Sequence, residues 1–337
     1  MPDVEYADLK RLVKEQGLLA KQPGYYAFKI IAALGLLSLS LLFVVIIESP
    51  LLQTLNAMLL AFAVVQIGFL GHDAGHRQIA HSLKRNDIIA LFSSFFMGSS
   101  RSWWITVHNE HHANPNDADL DPHIGIPAIA FSQKEASAKE GLARFLVKYQ
   151  AYYFIPLLLL EGLGMRLASI RFMFGGGKVK YPVLEPALVA LHFLLYFSFL
   201  FYVIGGLGAL AFIVVHQMLF GLYMGSVFAP NHKGMPMLDK SSPLGFLRQQ
   251  VLTSRNIVGH PLIDLFYGGL NYQIEHHLFP NMPRNKLGKA QKIVRQFCLK
   301  HNVSYYETSA LRSWKEILDS LHDSSAPLRA SQSPTRT

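Results

Sequence analysis

Residues 27–71 read "AFKIIAALGLLSLSLLFVVIIESPLLQTLNAMLLAFAVVQIGFLG", two apolar runs separated by the short break at residues 48–50. Each run has about 20 residues, the length of an α-helix that crosses the hydrocarbon core of a bilayer. Residues 30–76 contain no Lys or Arg. The stretch therefore predicts a hairpin of two transmembrane helices, over about residues 28–47 and 51–71.

A second stretch with the same character covers residues 181–232, which also contain no Lys or Arg. It predicts spans at about residues 185–204 and 207–228, joined at Gly205 and Gly206. The whole chain of 337 residues is 51% hydrophobic and only 16% charged, too apolar for most soluble domains. The sequence thus predicts an all-α integral membrane protein with four transmembrane helices in two hairpins and a cytoplasmic helical cap.

The Lys and Arg residues lie almost entirely outside the two hairpins. By the positive-inside tendency, we expect both termini and the segment between the hairpins on the cytoplasmic side. The formal net charge of +9 then favours anionic lipid headgroups as partners. No nucleic-acid-binding motif is present, so we expect no nucleic-acid partner.

The composition divides the chain into four parts. These are a cytoplasmic N-terminal segment (residues 1–27), a membrane domain (28–283), a cytoplasmic C-terminal helical region (284–322) and a disordered Ser/Pro-rich tail (323–337). Two shorter apolar runs begin at Ile88 and Ala151 and are interrupted by polar residues or by Pro156. We interpret them as interfacial or re-entrant helices rather than spans.

Eight of the fifteen histidines fall in four short clusters, "HDAGH", "HNEHH", "NHKG" and "IEHH". On a helix, residues at i, i+3 and i+4 share a face, so histidines within a cluster can point at one place. Every cluster follows a predicted span on the same membrane side, and a single ion takes at most about six ligands, so two ions are indicated. The candidate ligands are His72, His76, His108, His111, His112, His232, His276 and His277.

Other metal chemistries fit the pattern less well. Cys298 is the only cysteine, which excludes a thiolate cluster and leaves nitrogen or oxygen ligands. A membrane zinc hydrolase would be expected to carry H-E-x-x-H, which is absent. A metal transporter would have histidines along its spans, whereas these clusters lie at one face. We interpret the other seven histidines as structural: His81, His123, His192, His216, His260, His301 and His322.

At these residues the sequence resembles the membrane fatty acid desaturases, whose three histidine boxes correspond to "HDAGH", "HNEHH" and "QIEHH". The similarity extends from the first span to about Pro283. Gln273 stands where many desaturases have the first histidine of the third box, as in the acyl-lipid or front-end branch. The resemblance implies a di-iron centre that uses O2 and two electrons to desaturate an acyl lipid or acyl thioester. A hydroxylase or ketolase on the same scaffold is the alternative.

The resemblance also suggests roles for residues around the boxes. Possible further ligands, or residues that hold the ligands, are Gln273, Asp73, Glu110, Asn231, Asn271 and Glu275. Capping or surface roles are nearly as compatible with each of them. The acidic run with Asp117, Asp119 and Asp121 could bind box histidines or an electron donor, or form a solvated loop.

Aromatic residues for a substrate tunnel are Trp103, Trp104 and Tyr272, which could equally be ordinary core residues or interface anchors. Many front-end desaturases carry a fused haem-binding donor marked by His-Pro-Gly-Gly, which this sequence lacks. We therefore expect the electrons to come from a separate ferredoxin or flavoprotein reductase chain.

Overall fold

The computed structural model describes residues 4–239 and 242–330, and this part of the chain is mostly helical. The helices are α1 (Val4–Glu15), α2 (Pro23–Ile46), α3 (Pro50–Gly75), α4 (Leu83–Met97), α5 (Arg101–Ala113), α6 (Gln133–Ala138), α7 (Gly141–Lys148), α8 (Gln150–Leu157), a 3₁₀ turn (Leu158–Leu160), α9 (Glu161–Phe174), α10 (Leu184–Val203), α11 (Gly206–His232), α12 (Phe246–Leu252), α13 (Pro261–Tyr267), α14 (Gln273–Leu278), α15 (Arg284–Lys300), α16 (Ala310–Ser324) and α17 (Ala326–Ala330). Two short strands, β1 (Asn256–Ile257) and β2 (Glu307–Thr308), pair in parallel.

Helix α3 lies at the centre of the bundle, where it packs against α2, α4 and α11. Its buried amide side chains fix the first hairpin. Gln53 Nε2 donates to the carbonyl oxygens of Val44 at 3.0 Å and Ile47 at 2.7 Å. Carbonyl groups at a helix end have no intrahelical donor, so Gln53 supplies one for α2. One turn further along α3, Asn56 Nδ2 donates to the carbonyl oxygen of Ser40 at 3.1 Å.

Five helical segments are long and apolar enough to cross a membrane: Pro23–Ile46, Pro50–Gly75, Gln150–Phe174, Leu184–Val203 and Gly206–His232. Four of them correspond to the expected spans. The additional one, Gln150–Phe174, is longer than the short apolar run expected from Ala151. The helical path continues through Pro156 because the chain tightens into the 3₁₀ turn and then resumes as α9 at Glu161. The run from Ile88 forms α4 and packs along α3.

A second hydrophobic core lies outside the long apolar helices. It joins α1 to the segments that follow α11, and α1 packs against α12 and α15. Leu9 and Val13 of α1 are fully buried in this core together with Ile274 and Leu278 of α14. The N-terminal segment and the C-terminal region therefore form one layer around α14.

The expectation of a disordered tail is wrong for residues 323–330. Helix α16 continues to Ser324, and α17 packs against α6 and α7 with Leu328 buried beside Ala130 and Ala136. Gln150 Nε2 also donates to Ser324 Oγ at 2.8 Å. One large apolar residue, Leu328, in a Ser/Pro-rich stretch gave too little signal to predict this contact. Residues 331–337 of the expected tail lie outside the described part of the chain.

Candidate metal centre

Four helices carry the eight clustered histidines to one end of the bundle. Helix α3 extends beyond the expected span to Gly75, so His72 lies in its last turn and His76 caps it. Helix α11 also extends beyond its expected span and ends at His232. The remaining five come from α5 and α14: His108, His111, His112, His276 and His277.

Four of these side chains form what we name the first cluster: His72, His76, His108 and His276. One ring nitrogen from each lies within 4.8 Å of the others. The Nε2 atoms of His72 and His276 are 3.2 Å apart, and those of His76 and His108 are 2.8 Å apart. Nitrogen atoms at such separations can surround a single ion, because a metal–imidazole bond is about 2 Å long.

Three further side chains form the second cluster: His111, His232 and His277. His232 Nε2 lies 3.3 Å from His111 Nε2 and 3.1 Å from His277 Nε2. His112 lies between the clusters. Its Nε2 is 3.1 Å from His108 Nε2, and its ring stacks on His277 with the ring centroids 4.2 Å apart.

Helix geometry explains how one box serves both clusters. Residues four apart on a helix point in nearly the same direction, whereas a residue three further along points to the neighbouring side. On α5 this directs His108 toward the first cluster and His111 toward the second, with His112 between them. On α14 the consecutive residues His276 and His277 point about 100° apart and reach different clusters. The sequence spacing had suggested that His108, His111 and His112 share one point, and the structure separates them.

In the second cluster every Nδ1 atom faces an oxygen acceptor. His111 donates to Asp121 Oδ2 at 2.9 Å, His232 to the Thr253 carbonyl oxygen at 3.0 Å, and His277 to Gln250 Oε1 at 2.8 Å. A neutral imidazole has one N–H, so each Nε2 is left with a lone pair. The lone pair of His232 then lies close to those of His111 and His277, an arrangement that a cation among them would stabilise.

The first cluster has a comparable support at His72. Its Nδ1 atom donates to Asp73 Oδ1 at 3.1 Å. The other oxygen of Asp73 forms an ion pair with Arg284, whose Nε lies 2.6 Å away. Both Asp73 and Arg284 are buried. A carboxylate behind a metal-binding imidazole fixes the ring and increases its basicity.

The buried histidines are held in the neutral form that binds metals. Burial, followed by the charges of neighbouring histidines, holds the pKa of His108, His112, His276 and His277 well below the usual value. These rings therefore present lone pairs at neutral pH. A metal ion could bind them without first displacing protons.

Gln273 lies beside the second cluster, with its Nε2 atom 2.9 Å from His232 Nε2. Its Oε1 accepts a hydrogen bond from Asn231 Nδ2 at 3.1 Å, and Asn231 also donates to the carbonyl oxygen of Val227. The third-box glutamine thus occupies a position next to the three imidazoles. Rotation of the amide by a half turn would direct its oxygen toward them.

Three other candidates near the boxes lie away from the histidine rings. Glu275 is fully buried but accepts hydrogen bonds from Asn256 Nδ2 at 2.7 Å and from the Tyr305 hydroxyl at 2.9 Å. Burial raises the pKa of Glu275 to about 7. Asn271 is buried and donates to Asp264 at 2.8 Å, whereas the Glu110 side chain is exposed.

The acidic run after the second box forms a folded loop. Asp121 is buried and, in addition to His111, accepts from the backbone N–H groups of Asn116 and His123 at 2.9 Å each. Asp117 Oδ1 accepts from the backbone N–H groups of Asp119 and Leu120. Of the three aspartates, Asp121 is therefore the one that binds a box histidine.

A pocket adjoins the first cluster between α3, α4, α5, α9 and α11. Trp104 lines it and stacks on His108 with ring centroids 4.5 Å apart. Trp103 and Tyr272 do not line it, and the Tyr272 hydroxyl donates to Asp264 at 3.3 Å. The apolar lining includes Phe69, Met97, Met165, Met224, Phe228 and Leu270.

The sequence features of this site match a known family. The model of the family described as fatty acid desaturase matches residues 49–309, which include every histidine of both clusters. The chain belongs to the fatty acid desaturase family. It is therefore an oxidoreductase that desaturates fatty acyl chains, and the resemblance noted in the sequence is confirmed.

Individual desaturases show the same relationship. A Delta(6)-fatty-acid desaturase of Caenorhabditis elegans is 32% identical over 89% of this chain and 70% of its own length. An acyl-lipid (9-3)-desaturase of Physcomitrium patens is 28% identical over 95% of this chain and 62% of its own length. A Delta(8)-fatty-acid desaturase of Euglena gracilis is 30% identical, with 88% and 74% covered. The chain thus spans between about three fifths and three quarters of these relatives.

Some residues that hold the desaturase site were not identified from the sequence. Gln250 binds His277 through its oxygen, and its Nε2 donates to the carbonyl oxygen of His112 at 3.0 Å. Thr253 contributes only a backbone carbonyl, which has no sequence signature. Arg284 could have been considered, because a cation next to the boxes can neutralise a buried carboxylate such as Asp73.

Proposed function

We propose that the two clusters hold two iron ions. In this proposal His72, His76, His108 and His276 bind one ion, and His111, His232 and His277 bind the other. His112 lies within reach of both, and Gln273 completes the second site directly or through water. Imidazole donors alone would also suit Zn, Cu or Ni. Membership in the desaturase family favours iron among them.

The observation that carries the proposal is the set of oxygen acceptors that face the Nδ1 atoms of the second cluster. Its three Nδ1 atoms are all committed to oxygen acceptors, so three Nε2 lone pairs face a common point. The Gln273 amide can donate to only one of them, His232, whereas a divalent cation would bind all three. The donor set therefore fits a metal ion at the second cluster, as the Asp73-supported His72 does at the first.

Bound iron would supply the one-electron and O2 chemistry that oxidises an unactivated C–H bond. The overall reaction removes two hydrogens from adjacent methylenes and, with O2, two electrons and two protons, gives a double bond and two waters. A saturated methylene has no acidic proton, so side-chain acids and bases cannot perform this step. The task of the protein is to position the acyl chain and exclude water.

We propose that the pocket beside the first cluster binds the acyl chain. Its lining is largely apolar, and it includes His72 of the first cluster. Trp104 is held in place by stacking on His108 and by an edge-on contact with His72. A chain in this pocket would therefore pass Trp104 next to the metal-binding imidazoles. We propose no contact between the acyl chain and the other two aromatic candidates, Trp103 and Tyr272.

We also propose that α2, α3, α10 and α11 are the four spans, while Gln150–Phe174 enters the membrane and returns. At the start of this segment, Gln150 Nε2 donates to the carbonyl oxygen of Leu321 in α16. After it, Lys180 pairs with Asp87, and the Tyr181 hydroxyl donates to Asp87 at 3.1 Å. Asp87 lies near the start of α4, which directly follows the first histidine box. Contacts at both ends on the histidine side support a re-entrant path.

The remaining topology follows from charge. Because Lys and Arg are concentrated on the histidine side, we propose that both termini and the site face the cytoplasm. On that side, a separate ferredoxin or flavoprotein reductase chain would deliver the electrons. The acyl carrier would be a membrane glycerolipid or an acyl thioester.

Metal analysis combined with product analysis tests this function. The purified chain should contain about two irons, and expression with a ferredoxin and its reductase in a host lacking desaturases should give a new, O2-dependent unsaturated acyl chain. Mass spectrometry locates the double bond. A hydroxylated product would indicate that the chain hydroxylates its substrate instead of desaturating it. About one zinc per chain, with no change in acyl chains, would contradict the di-iron proposal.

A further inference from the structure

A basic side chain lies on the wall of the acyl pocket. Arg101, the first residue of α5, lines the pocket together with His72 and Trp104. It is the only Lys or Arg in the described part of the chain that does so. At 1.5 Å per residue, His108 lies about 10 Å further along the axis of α5. The pocket therefore has one histidine, His72, and one guanidinium, Arg101, on its wall.

Arg101 shares its acidic partner, Asp87, with a second cation, Lys180. Asp87 accepts from both Arg101 and Lys180, one carboxylate oxygen facing each cation. The Tyr181 hydroxyl also donates to Asp87. The Arg101 side chain is only 11% exposed, and its Nε is buried without a hydrogen-bond partner. A buried N–H without an acceptor is unfavourable, so the site lacks an oxygen that a ligand could provide.

We propose that Arg101 binds a phosphate-ester oxygen on the carrier of the acyl substrate. This inference rests on the proposed function, because it assigns the polar end of the same acyl substrate. A guanidinium matches phosphate oxygens geometrically and stays charged when partly buried. Asp87 is shared between two cations and leaves the Arg101 Nε without an acceptor, so Arg101 can still bind an anionic ligand.

The position of Arg101 suits a molecule that is polar at one end and apolar at the other. Asp87 lies near the start of α4 on the side of the histidine boxes, and Lys178 and Lys180 nearby are exposed. A phosphate at Arg101 would remain at this polar edge while the acyl chain entered the apolar pocket. Two carriers have this chemistry, a glycerophospholipid with its phosphodiester and an acyl-CoA with its phosphates.

Binding without turnover tests the proposal independently of desaturation. The 337-residue protein with its metal, but without an electron donor, is titrated with brominated acyl compounds. Bromine in the pocket quenches the fluorescence of Trp104, which lines it. Three probes are compared: brominated phosphatidylcholine, brominated acyl-CoA and the brominated acyl methyl ester, which has no phosphate. A failure of the desaturase chemistry would leave these measurements readable.

We expect Arg101→Gln to weaken binding of one phosphate-bearing probe about tenfold and leave the methyl ester unchanged. The probe that is affected identifies the carrier. The matched control Lys178→Gln removes an exposed positive charge nearby and should change none of the three affinities. Asp87→Asn should tighten binding of the same probe, because it frees Arg101 from its acidic partner.

The opposite results would overturn the proposal. If Arg101→Gln left all affinities unchanged or weakened all three probes equally, Arg101 would only shape the pocket. If Asp87→Asn weakened binding of the phosphate-bearing probe, Asp87 would not compete with a phosphate for Arg101. Asp87→Asn keeps the proposal testable if Arg101→Gln fails to fold, since its expected effect has the opposite sign.

Discussion

Replacing Asp121 by Asn should weaken metal binding at the second cluster while leaving the first intact. Asp121 is 5% exposed and accepts three hydrogen bonds, from His111 Nδ1 and from the backbone N–H groups of Asn116 and His123. The Asn amide has one acceptor oxygen and no charge. It must therefore give up at least one of these bonds, or turn its NH2 group toward an N–H donor.

The size of the effect follows from the role of Asp121 behind His111. Loss of a group that holds a metal-binding imidazole typically weakens metal affinity about 10- to 100-fold. That corresponds to about 1.4–2.7 kcal/mol. Burial of Asp121 limits screening by solvent, so salt should not abolish the effect.

The assay is a titration with chelators of increasing strength, followed by metal analysis of the protein. Asp121→Asn should fall from about two metals per chain to one at chelator concentrations at which the unmodified chain retains both. Asp119→Asn is the matched control, because its exposed side chain lies in the same loop. Retention of both metals by Asp121→Asn, simultaneous loss of both, or an equal effect of the control would refute the reasoning.

Three other perturbations have expected outcomes. His112→Ala should abolish desaturation while the chain still fractionates with membranes, and persisting product would remove His112 from the ligand set. Metal removal by chelation should speed hydrogen exchange in α14, residues 273–278, more than in α3; equal protection would separate the histidines of α14 from metal binding. Gly71→Ala places a Cβ atom 2.2 Å from Ser93 Oγ, so overpacking should lower stability by about 1–3 kcal/mol in thermal unfolding. Gly35→Ala, with nothing within 4 Å, should have little effect, and similar melting of the two variants would contradict the packing argument.

Apolar run length was sufficient to predict the helices that build the bundle. It was insufficient for Gln150–Phe174, because the helical path continues through Pro156 and Glu161. The boxes were recognisable from spacing, but the division of ligands was not. Whether His111 faces the same ion as His108 depends on where His232 and His277 arrive from other helices. Those positions depend on how the helices pack, which the spacing within one box does not determine.

The supporting residues were harder to predict for a physical reason. Asp73 and Asp121 lie close in sequence to the histidines they bind, so a carboxylate near a box is a usable signal. Gln250 and the Thr253 carbonyl come from a segment without histidines and reach the second cluster only through the fold. A backbone carbonyl is present at every position, so no residue pattern distinguishes the one that accepts from His232.

Helix α14 shows why the two clusters depend on each other. It has six residues, too few to be stable alone, yet it supplies His276 to the first cluster and His277 to the second. Asn256 holds it by accepting from the Ile274 N–H at 2.9 Å and donating to Glu275, and Tyr305 also donates to Glu275. Two adjacent side chains on one short helix cannot move independently. A shift that disturbed His277 would therefore also disturb His276, which places the two proposed metal sites under a common geometric constraint.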